Sequence, residues 1–546
     1  MSGKLFRRVL LPALLMLAVA AGLGSYFETN DDAAIIQLLR GTTAATPVTT
    51  LYLYFHGLSA VLAWLYQAMP EVPWYALLLY ALLYAATAGT FTFLDRLLVG
   101  RLPAGWAMLL LTLFFLVAWL EHGFWFNYVR VPILLAGVGV LCAAQRPQSR
   151  WALWWGLLAF ALSWLIRPSA ALLGLLAAAP GAWWLSGRRS LPVLGGAVAW
   201  AIVGAVWLQL TWSPAAATFR RLDVLKSNLL DFQLAAPPVK QLTATDSLGL
   251  AATQQWLLAD STLINEAFFV RAAPLPTPRY FLTHIAPAKL SQTLPQLVRD
   301  YFPLLLLLLA SILLQTGRGV PHSRSFWLLQ AGYVGLMLVL AAVLKLPPRI
   351  ALPLLDLWVL SNLALVLMRP AAPRQAPWII LGVLAVVLVP YAYKTLHRHT
   401  TLIIERKLNR AERQRLTALA HAHQSSPPNL IVSDAFEATY KAESPFAVDG
   451  PLVRRLSVAG WTSLHPSQAV WRHQLTGTRD FAKSLHRLAQ RADVAWVLTP
   501  GSAQTFNYQL AQLPGPRIQL VPAEGQTDSL KEAKAYIPYL ESAKYR

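Results

Sequence analysis

Tyr26-Phe27-Glu28-Thr29-Asn30-Asp31-Asp32 follows Val9–Ser25, a run with no charged residue. Glu28, Asp31 and Asp32 therefore stand where a first apolar segment leaves a membrane. Carboxylates at the surface of an otherwise apolar chain are costly to desolvate, and such acids usually have a function. Which side of the membrane they face decides how everything after them is read.

Of the 546 residues, 56% are hydrophobic and only 13% are charged, which excludes an ordinary soluble domain. Apolar runs of spanning length recur to about residue 395, so the fold class is an α-helical polytopic membrane protein. A formal charge of +21 would suit a nucleic-acid binder. Much of it lies in short loops between apolar runs, however, which is the topology signal of an inner-type membrane and leaves no role for nucleic acid. Such loops also meet anionic lipid. Cys142, the single cysteine, falls inside an apolar run, so no intrachain disulfide is available. Lys4, Arg7 and Arg8 before an apolar stretch also fit a cleavable signal peptide, but the polar loop and the later spans fit an uncleaved first helix. Either way the acidic loop ends outside.

The basic short loops are Asp95–Arg101, Gln145–Arg150, Ser186–Ser190, Gln315–Arg324 and Arg369–Arg374. With Lys4-Arg7-Arg8 they should all be cytoplasmic. Candidate spans lie near 9–25, 74–94, 104–120, 129–144, 151–166, 169–185, 191–212, 301–314, 326–344, 350–368 and 378–395, about eleven in all. With that count every basic cluster falls on one side. Counting Leu51–Met69 as a span would reverse every later loop. It reads instead as an interfacial helix with Trp64, Tyr66 and Tyr52–Tyr54 at headgroup depth. Ala33–Arg40, closed by Gly41, reads as a second helix along the outer surface.

The outer face then collects the acidic loop (26–73), Glu121-His122 through Arg130, Arg167, the long segment 213–300, Lys345 through Arg349, and the tail. The boundary is set at 398/399: residues 1–398 form the membrane domain and 399–546 an extracytoplasmic domain. The tail opens with a charged helix, 401–423, and a Ser-Ser-Pro-Pro break at 425–428. Strand-like runs (Leu430–Val432, Val494–Leu498, Ile518–Val521) then alternate with helical ones (Phe481–Arg491, Phe506–Leu513), the order of a small α/β domain.

For Asp31 and Asp32 the plainer reading is that Asn30 or Asp31 caps the next helix, where an acid satisfies free N–H groups and the dipole. The functional reading is a general base, or a carboxylate pair holding a divalent cation. Glu121-His122 reads as a helix end beside the aromatic belt Phe124-Trp125-Phe126-Asn127-Tyr128, or as a second acidic site that binds a cation or an acceptor. Lys345 and Arg349 stand outside against the positive-inside trend. They either snorkel to lipid phosphate or grip a phosphate and steady its charge as it leaves. Arg167 is a further candidate of that kind. His397, His399, His421 and His423 form two His-x-His pairs, which do not share a helix face and so do not chelate well. The sequence contains no Gly-rich phosphate loop with Lys-Ser/Thr, HExxH, CxxC or Gly-x-Ser-x-Gly, which argues against an ATP-driven pump.

The inside N-terminus, the long outer loop with Glu28-Thr29-Asn30-Asp31-Asp32 and two helices, the many later spans and the outer tail resemble the GT-C superfamily of membrane glycosyltransferases. It is similar to the protein O-mannosyltransferase and aminoarabinose-transferase families. The resemblance implies transfer of a hexosyl or pentosyl group from a polyprenyl-phosphate carrier to a lipid, glycan or protein acceptor. It implies catalysis by Asp31 or Asp32 with Glu28 beside them, a second acid at Glu121 with His122, and carrier phosphate on Arg349 or Lys345. A divalent cation (Mg or Mn) would fall at Asp31, Asp32 and Glu121. The Trp-Trp-Asp signature of oligosaccharyltransferases is absent, which argues against transfer of a whole glycan to asparagine. The rival class is a lipid-linked sugar flippase or other transporter, for which acids near the midplane or broken helices in related halves are expected. Within the spans, Asp356 is the main acid.

Overall fold

The computed structural model describes residues 3–238, 241–316, 324–368, 375–422, 427–448, 453–514, 517–523 and 532–540. Most of the expected basic loop 315–324, the whole of the loop 369–374, His423 and residues 425–426 of the proline break lie outside them.

The chain begins with helix α1 (Gly3–Gly22), then α2 (Asp31–Arg40) and α3 (Leu58–Ala68). It continues through α4 (Trp74–Leu98), α5 (Ala104–Phe124), α6 (Arg130–Gln145), α7 (Arg150–Ile166), α8 (Pro168–Ser186) and α9 (Leu191–Thr211). Three short helices follow: α10 (Pro214–Lys226), α11 (Ala244–Gln254) and α12 (Glu266–Ala272). The bundle closes with α13 (Ala286–Thr316), α14 (Arg324–Val343), α15 (Pro348–Met368) and α16 (Ala376–Ala422).

Among the described residues, eight helical stretches are long and apolar enough to cross a membrane. One of them, Pro168–Thr211, is really two helices, because the chain turns at Gly187 with φ +54°. Helices α6 and α7 are shorter, at 16 and 17 residues. A helix thus stands at each position where the sequence predicts a span. Helix α9 turns Val203, Val206 and Leu210 outward, and Leu210 is 81% exposed. An apolar face of that kind has no place in water, and the chain is a helical membrane protein.

Helix α3 exposes Trp64 and buries Leu62, Ala63 and Tyr66, so one face packs on the fold and the other is free. Three expectations change. Helix α2, in contrast, is buried over most of its surface rather than lying along an outer one. The span expected at 301–314 continues a helix that already runs through 286–300 and kinks at Tyr301 (φ −125°, ψ 22°). Pro303 cannot donate to the preceding turn, which accounts for the kink. The 398/399 boundary falls within α16, a single helix of 47 residues.

The sheet beyond α16 has the order β4-β3-β5-β7-β6. Its strands are β3 (Leu430–Ser433), β4 (Arg454–Ser457), β5 (Val494–Leu498), β6 (Ile518–Pro522) and β7 (Lys534–Leu540). Strands β4, β3 and β5 are parallel, and β7 and β6 add antiparallel. Strands β3 and β5 are buried along their whole length because both faces are covered. The end of α16 covers one face through Leu416 and Ala420. The other face packs on helices α17 (Pro466–Thr476), α18 (Phe481–Ala489) and α19 (Pro500–Ala511). The same core takes in Leu222, Leu258, Ile264, Phe268 and Phe269 from segment 213–300. The two outer soluble pieces expected from sequence are therefore one body.

Candidate functional site

Two residues of main-chain pairing bring the acidic loops together. Strand β1 (Tyr26–Phe27) lies parallel to β2 (Trp125–Phe126), and the Glu28 N–H donates to the Phe126 carbonyl at 3.0 Å. The loop after α1 is thereby held against the loop after α5. A π-helical turn at Phe115–Trp119 comes just before Glu121 and His122 and sets the direction of their side chains. From the other side, the Phe27 N–H donates to the Glu443 carbonyl at 2.9 Å. The Glu443 carboxylate accepts from Arg410 and Arg413 of α16, at 2.7 Å each. Burial alone would raise its pKa, but the two arginines and the Ser444 N–H outweigh burial and hold it down at about 2.

The three acids of the first loop take three different places. Asp32 is fully buried. It accepts from the Tyr75 hydroxyl (2.7 Å), the Tyr128 N–H (3.1 Å) and the Asn127 amide (3.0 Å). All three donors are neutral, and burial pushes the carboxyl up to about 8. Asp32 is a peg that fastens α2 to α4 and to the loop after β2. Asp31, the first residue of α2, stays partly open and accepts from the Thr29 hydroxyl at 3.4 Å. Asn30 precedes the helix but its side chain makes no capping bond.

Glu28 is buried and joined to two arginines. Arg130 Nη2 donates to it at 2.7 Å, the Arg349 N–H at 3.1 Å, and the Arg349 guanidinium lies 3.7 Å away. The first acidic loop and the late basic loop, 321 residues apart in sequence, therefore meet. Arg130 also reaches His122 Nδ1 (3.2 Å), and His122 Nε2 lies 2.7 Å from Asp356. With Nδ1 accepting, Nε2 carries the hydrogen and donates to Asp356; this tautomer is assigned from the network. Glu121 is fully buried and accepts from Tyr391 (2.9 Å), Arg398 (2.6 Å) and Lys394 (3.3 Å). Lys394 also takes the Asp300 carbonyl next to the Tyr301 kink. Buried charges survive only when paired in this way.

The expected cation site at Asp31, Asp32 and Glu121 is not assembled. Neutral donors occupy Asp32, and Lys394 and Arg398 occupy Glu121. No group of three or more His, Cys, Asp or Glu able to hold a metal occurs among the described residues.

Around Asp31 the surroundings are aromatic and cationic. Arg167 donates to the Tyr128 hydroxyl at 2.7 Å, and its guanidinium lies 5.0 Å from the Tyr54 ring and 5.1 Å from the Tyr128 ring. Tyr54 meets Tyr128 at 4.9 Å and Trp461 at 5.7 Å, both edge to face. Trp461 belongs to the C-terminal domain, as does Glu437. Burial pushes Glu437 up to about 7 against the Thr462 hydroxyl bonded to it, and the charge of Asp31 adds to the rise. Arg349 is partly exposed at the rim, and Lys345 is exposed.

The structure thus gathers Glu28, Asp31, Asp32, Glu121, His122, Arg167 and Arg349 at one end of the bundle. Tyr54 and Arg130, which the sequence marks only as a headgroup-depth aromatic and an outer-loop end, belong with them, as do Lys394, Arg398 and Glu437, for which the sequence reading has no role. Lys394 and Arg398 did carry a signal: they are cations four residues apart at an expected outer helix end, against the same charge trend that singles out Lys345 and Arg349. No family model, curated protein or solved structure matches the chain.

Proposed function

We propose that the chain is a GT-C-like glycosyltransferase with about eleven spans. It works at the extracytoplasmic face of the plasma (inner) membrane, with its N-terminus cytoplasmic and its α/β domain outside. One observation carries the reading. Of the three acids in the first loop only Asp31 keeps an open face, and it does so beside Arg167 and two tyrosine rings, while Arg349 stands across Glu28. Contacts among the basic clusters support the orientation. Arg7 and Arg8 both pair with Asp95 at 2.6 Å, and Arg96 reaches Gln145 at 3.4 Å. Three basic clusters therefore share one end of the bundle. Tyr75 at the Asp32 end and Asp95 at the other lie on the same helix, roughly 30 Å apart at 1.5 Å per residue.

In this reading a sugar carried on polyprenyl phosphate enters between Asp31 and the Arg349–Lys345 rim. Asp31 takes the proton from an acceptor hydroxyl of a lipid, glycan or protein. The acceptor oxygen attacks the anomeric carbon from the face opposite the phosphate, so configuration inverts. The bond from that carbon to the phosphate oxygen breaks, and its electron pair leaves on the phosphate. Arg349 and Lys345 meet the charge that develops there. The aromatic walls at Tyr54, Tyr128 and Trp461 suit the apolar face of a sugar ring.

The test is native mass spectrometry of protein purified in mild detergent, beside the double variant Arg349→Ala/Lys345→Ala. A polyprenyl phosphate or its glycosylated form on the wild type, lost from the variant, is expected. Bulk phospholipid alone, equal in both, overturns the donor site. One observation favours the rival, a lipid-linked sugar flippase or other transporter: Glu28, Arg130, His122 and Asp356 form a buried polar chain into the bundle, and Asp356 Oδ1 has no partner among the described residues. Proton-linked flux of a lipid-linked sugar in liposomes, abolished by Asp356→Asn, would establish that reading instead.

A further inference from the structure

A cavity of ≈ 360 Å³ opens at the other end of the bundle between α1, α4, α6 and α7. Its polar end holds three guanidinium groups, Arg8, Arg96 and Arg146, from three different helices or their ends. Arg8 shares the buried carboxylate of Asp95 with Arg7. Arg96 touches only the amide oxygen of Gln145, at 3.4 Å, and neither Arg96 nor Arg146 has an ion-pair partner among the described residues. Three guanidinium groups thus line the cavity, and of these only Arg8 bonds a carboxylate among the described residues, so surplus positive charge faces it.

The rest of the lining has a different chemistry. Ala85, Ala88 and Gly89 of α4 leave a shallow apolar floor, and Trp151 and Trp155 of α7 form the side. Trp151 is 86% exposed, which for an indole is costly in water and favourable at the boundary between headgroups and acyl chains. An occupant that matches both parts has a compact anion at one end and hydrocarbon at the other.

We infer that this cavity binds the phosphate of an anionic phospholipid between Arg96, Arg146 and Arg8, with an acyl chain lying along the α4 floor beside Trp151. It is separate from the proposed donor site at the opposite end of the bundle and stands whether or not that reading does. Charge complementarity selects the occupant: a zwitterionic lipid brings its own cation to the arginines and loses most of the attraction.

The test is native mass spectrometry of the whole protein, delipidated and then titrated with phosphatidylglycerol, with phosphatidylcholine, or with inorganic phosphate. One phosphatidylglycerol should bind in preference to phosphatidylcholine. Arg96→Gln/Arg146→Gln should weaken it about 25-fold, taking roughly fivefold for each arginine at a membrane surface. Because Arg146 is exposed, Arg146→Glu alone is a second variant that should fold and still lose most of the lipid. Equal binding of the two lipids, undiminished binding by the variants, or displacement of the lipid by millimolar inorganic phosphate would each overturn the assignment.

Discussion

Asp31 and Asp32 are neighbours in sequence and differ in almost every physical respect. Asp31 keeps an open face within the field of Arg167, Tyr54 and Tyr128, whereas Asp32 is buried on three neutral donors. Asp31→Asn should lower turnover with a polyprenyl-phosphate sugar by 100-fold or more, of the order of a lost general base, and leave the unfolding temperature unchanged. Near wild-type turnover would remove Asp31 from the mechanism. Asp32→Ala strands the donors of Tyr75, Tyr128 and Asn127, at a cost of about 1–3 kcal/mol in stability. Asp32 also makes stability depend on pH. Burial has raised its folded pKa to about 8 from 3.8, so the folded state holds the proton more tightly. Its stabilising contribution is complete below about pH 4 and is lost as pH rises through 8. Unfolding temperatures in detergent should therefore fall more steeply from pH 5 to pH 9 in the wild type than in Asp32→Asn; parallel curves would refute this. The sequence marked both acids but could not divide their roles. Tyr75 lies 43 residues from Asp32, and Asn127 and Tyr128 lie 95 and 96 away. No local pattern carries such contacts.

Among the elements, α6 shows best how the bundle is held. At 16 residues it extends roughly 24 Å, short for a span, yet all but the last of its residues are buried. Small residues let its neighbours come close, since van der Waals packing substitutes in lipid for the missing hydrophobic drive. A Cβ on Gly174 of α8 would stand 2.3 Å from the Ile133 carbonyl oxygen of α6. Backbone cannot yield as a flexible side chain can, so Gly174→Ala should cost about 1–3 kcal/mol and lower the unfolding temperature by several degrees. Gly195→Ala in α9, which meets nothing within 4 Å, is the control and should leave it unchanged. Equal behaviour of the two variants would mean that α6 and α8 are not held by close approach. The positions of such helices were legible because apolar runs mark them. Their ends were less so. The charges at His397-Arg398-His399 mark where apolar character stops, but backbone hydrogen bonding has no reason to stop there, and α16 runs on to Ala422. The helix that kinks beside Pro303 begins earlier than its apolar run, because the turns before Tyr301 carry enough charge to read as loop.

At the scale of the whole molecule, the segment between α9 and α13 and the tail after α16 share a single core. The sequence predicts an α/β tail from β3, β5 and β6, whose apolar runs are plain. Strand β4 (Arg454–Ser457) is an edge strand with two arginines and β7 contains Pro538, so neither shows an apolar run or clean alternation. The joining of the two pieces was invisible because α11 and α12 each show only a few apolar residues. Those residues are completed by Trp471, Leu485 and Trp496, more than two hundred residues later. A shared core has a consequence that separate pieces would not. Phe268 of α12 is 1% exposed and stacks edge to face on Phe269 at 5.1 Å. Phe268→Ala should remove about 3–5 kcal/mol, as deletion of a buried aromatic does. The loss should be felt on both sides of the interface. Limited proteolysis of the purified full chain should then cut within 244–273 and within 466–511 at the same rate, while the transmembrane helices stay protected. Cleavage confined to 244–273, with the tail as resistant as in the wild type, would show two independent units. Even then Trp461 and Glu437 would stay beside Asp31, because Glu443 ties the adjoining tail segment to Phe27 and to Arg410 and Arg413 of α16.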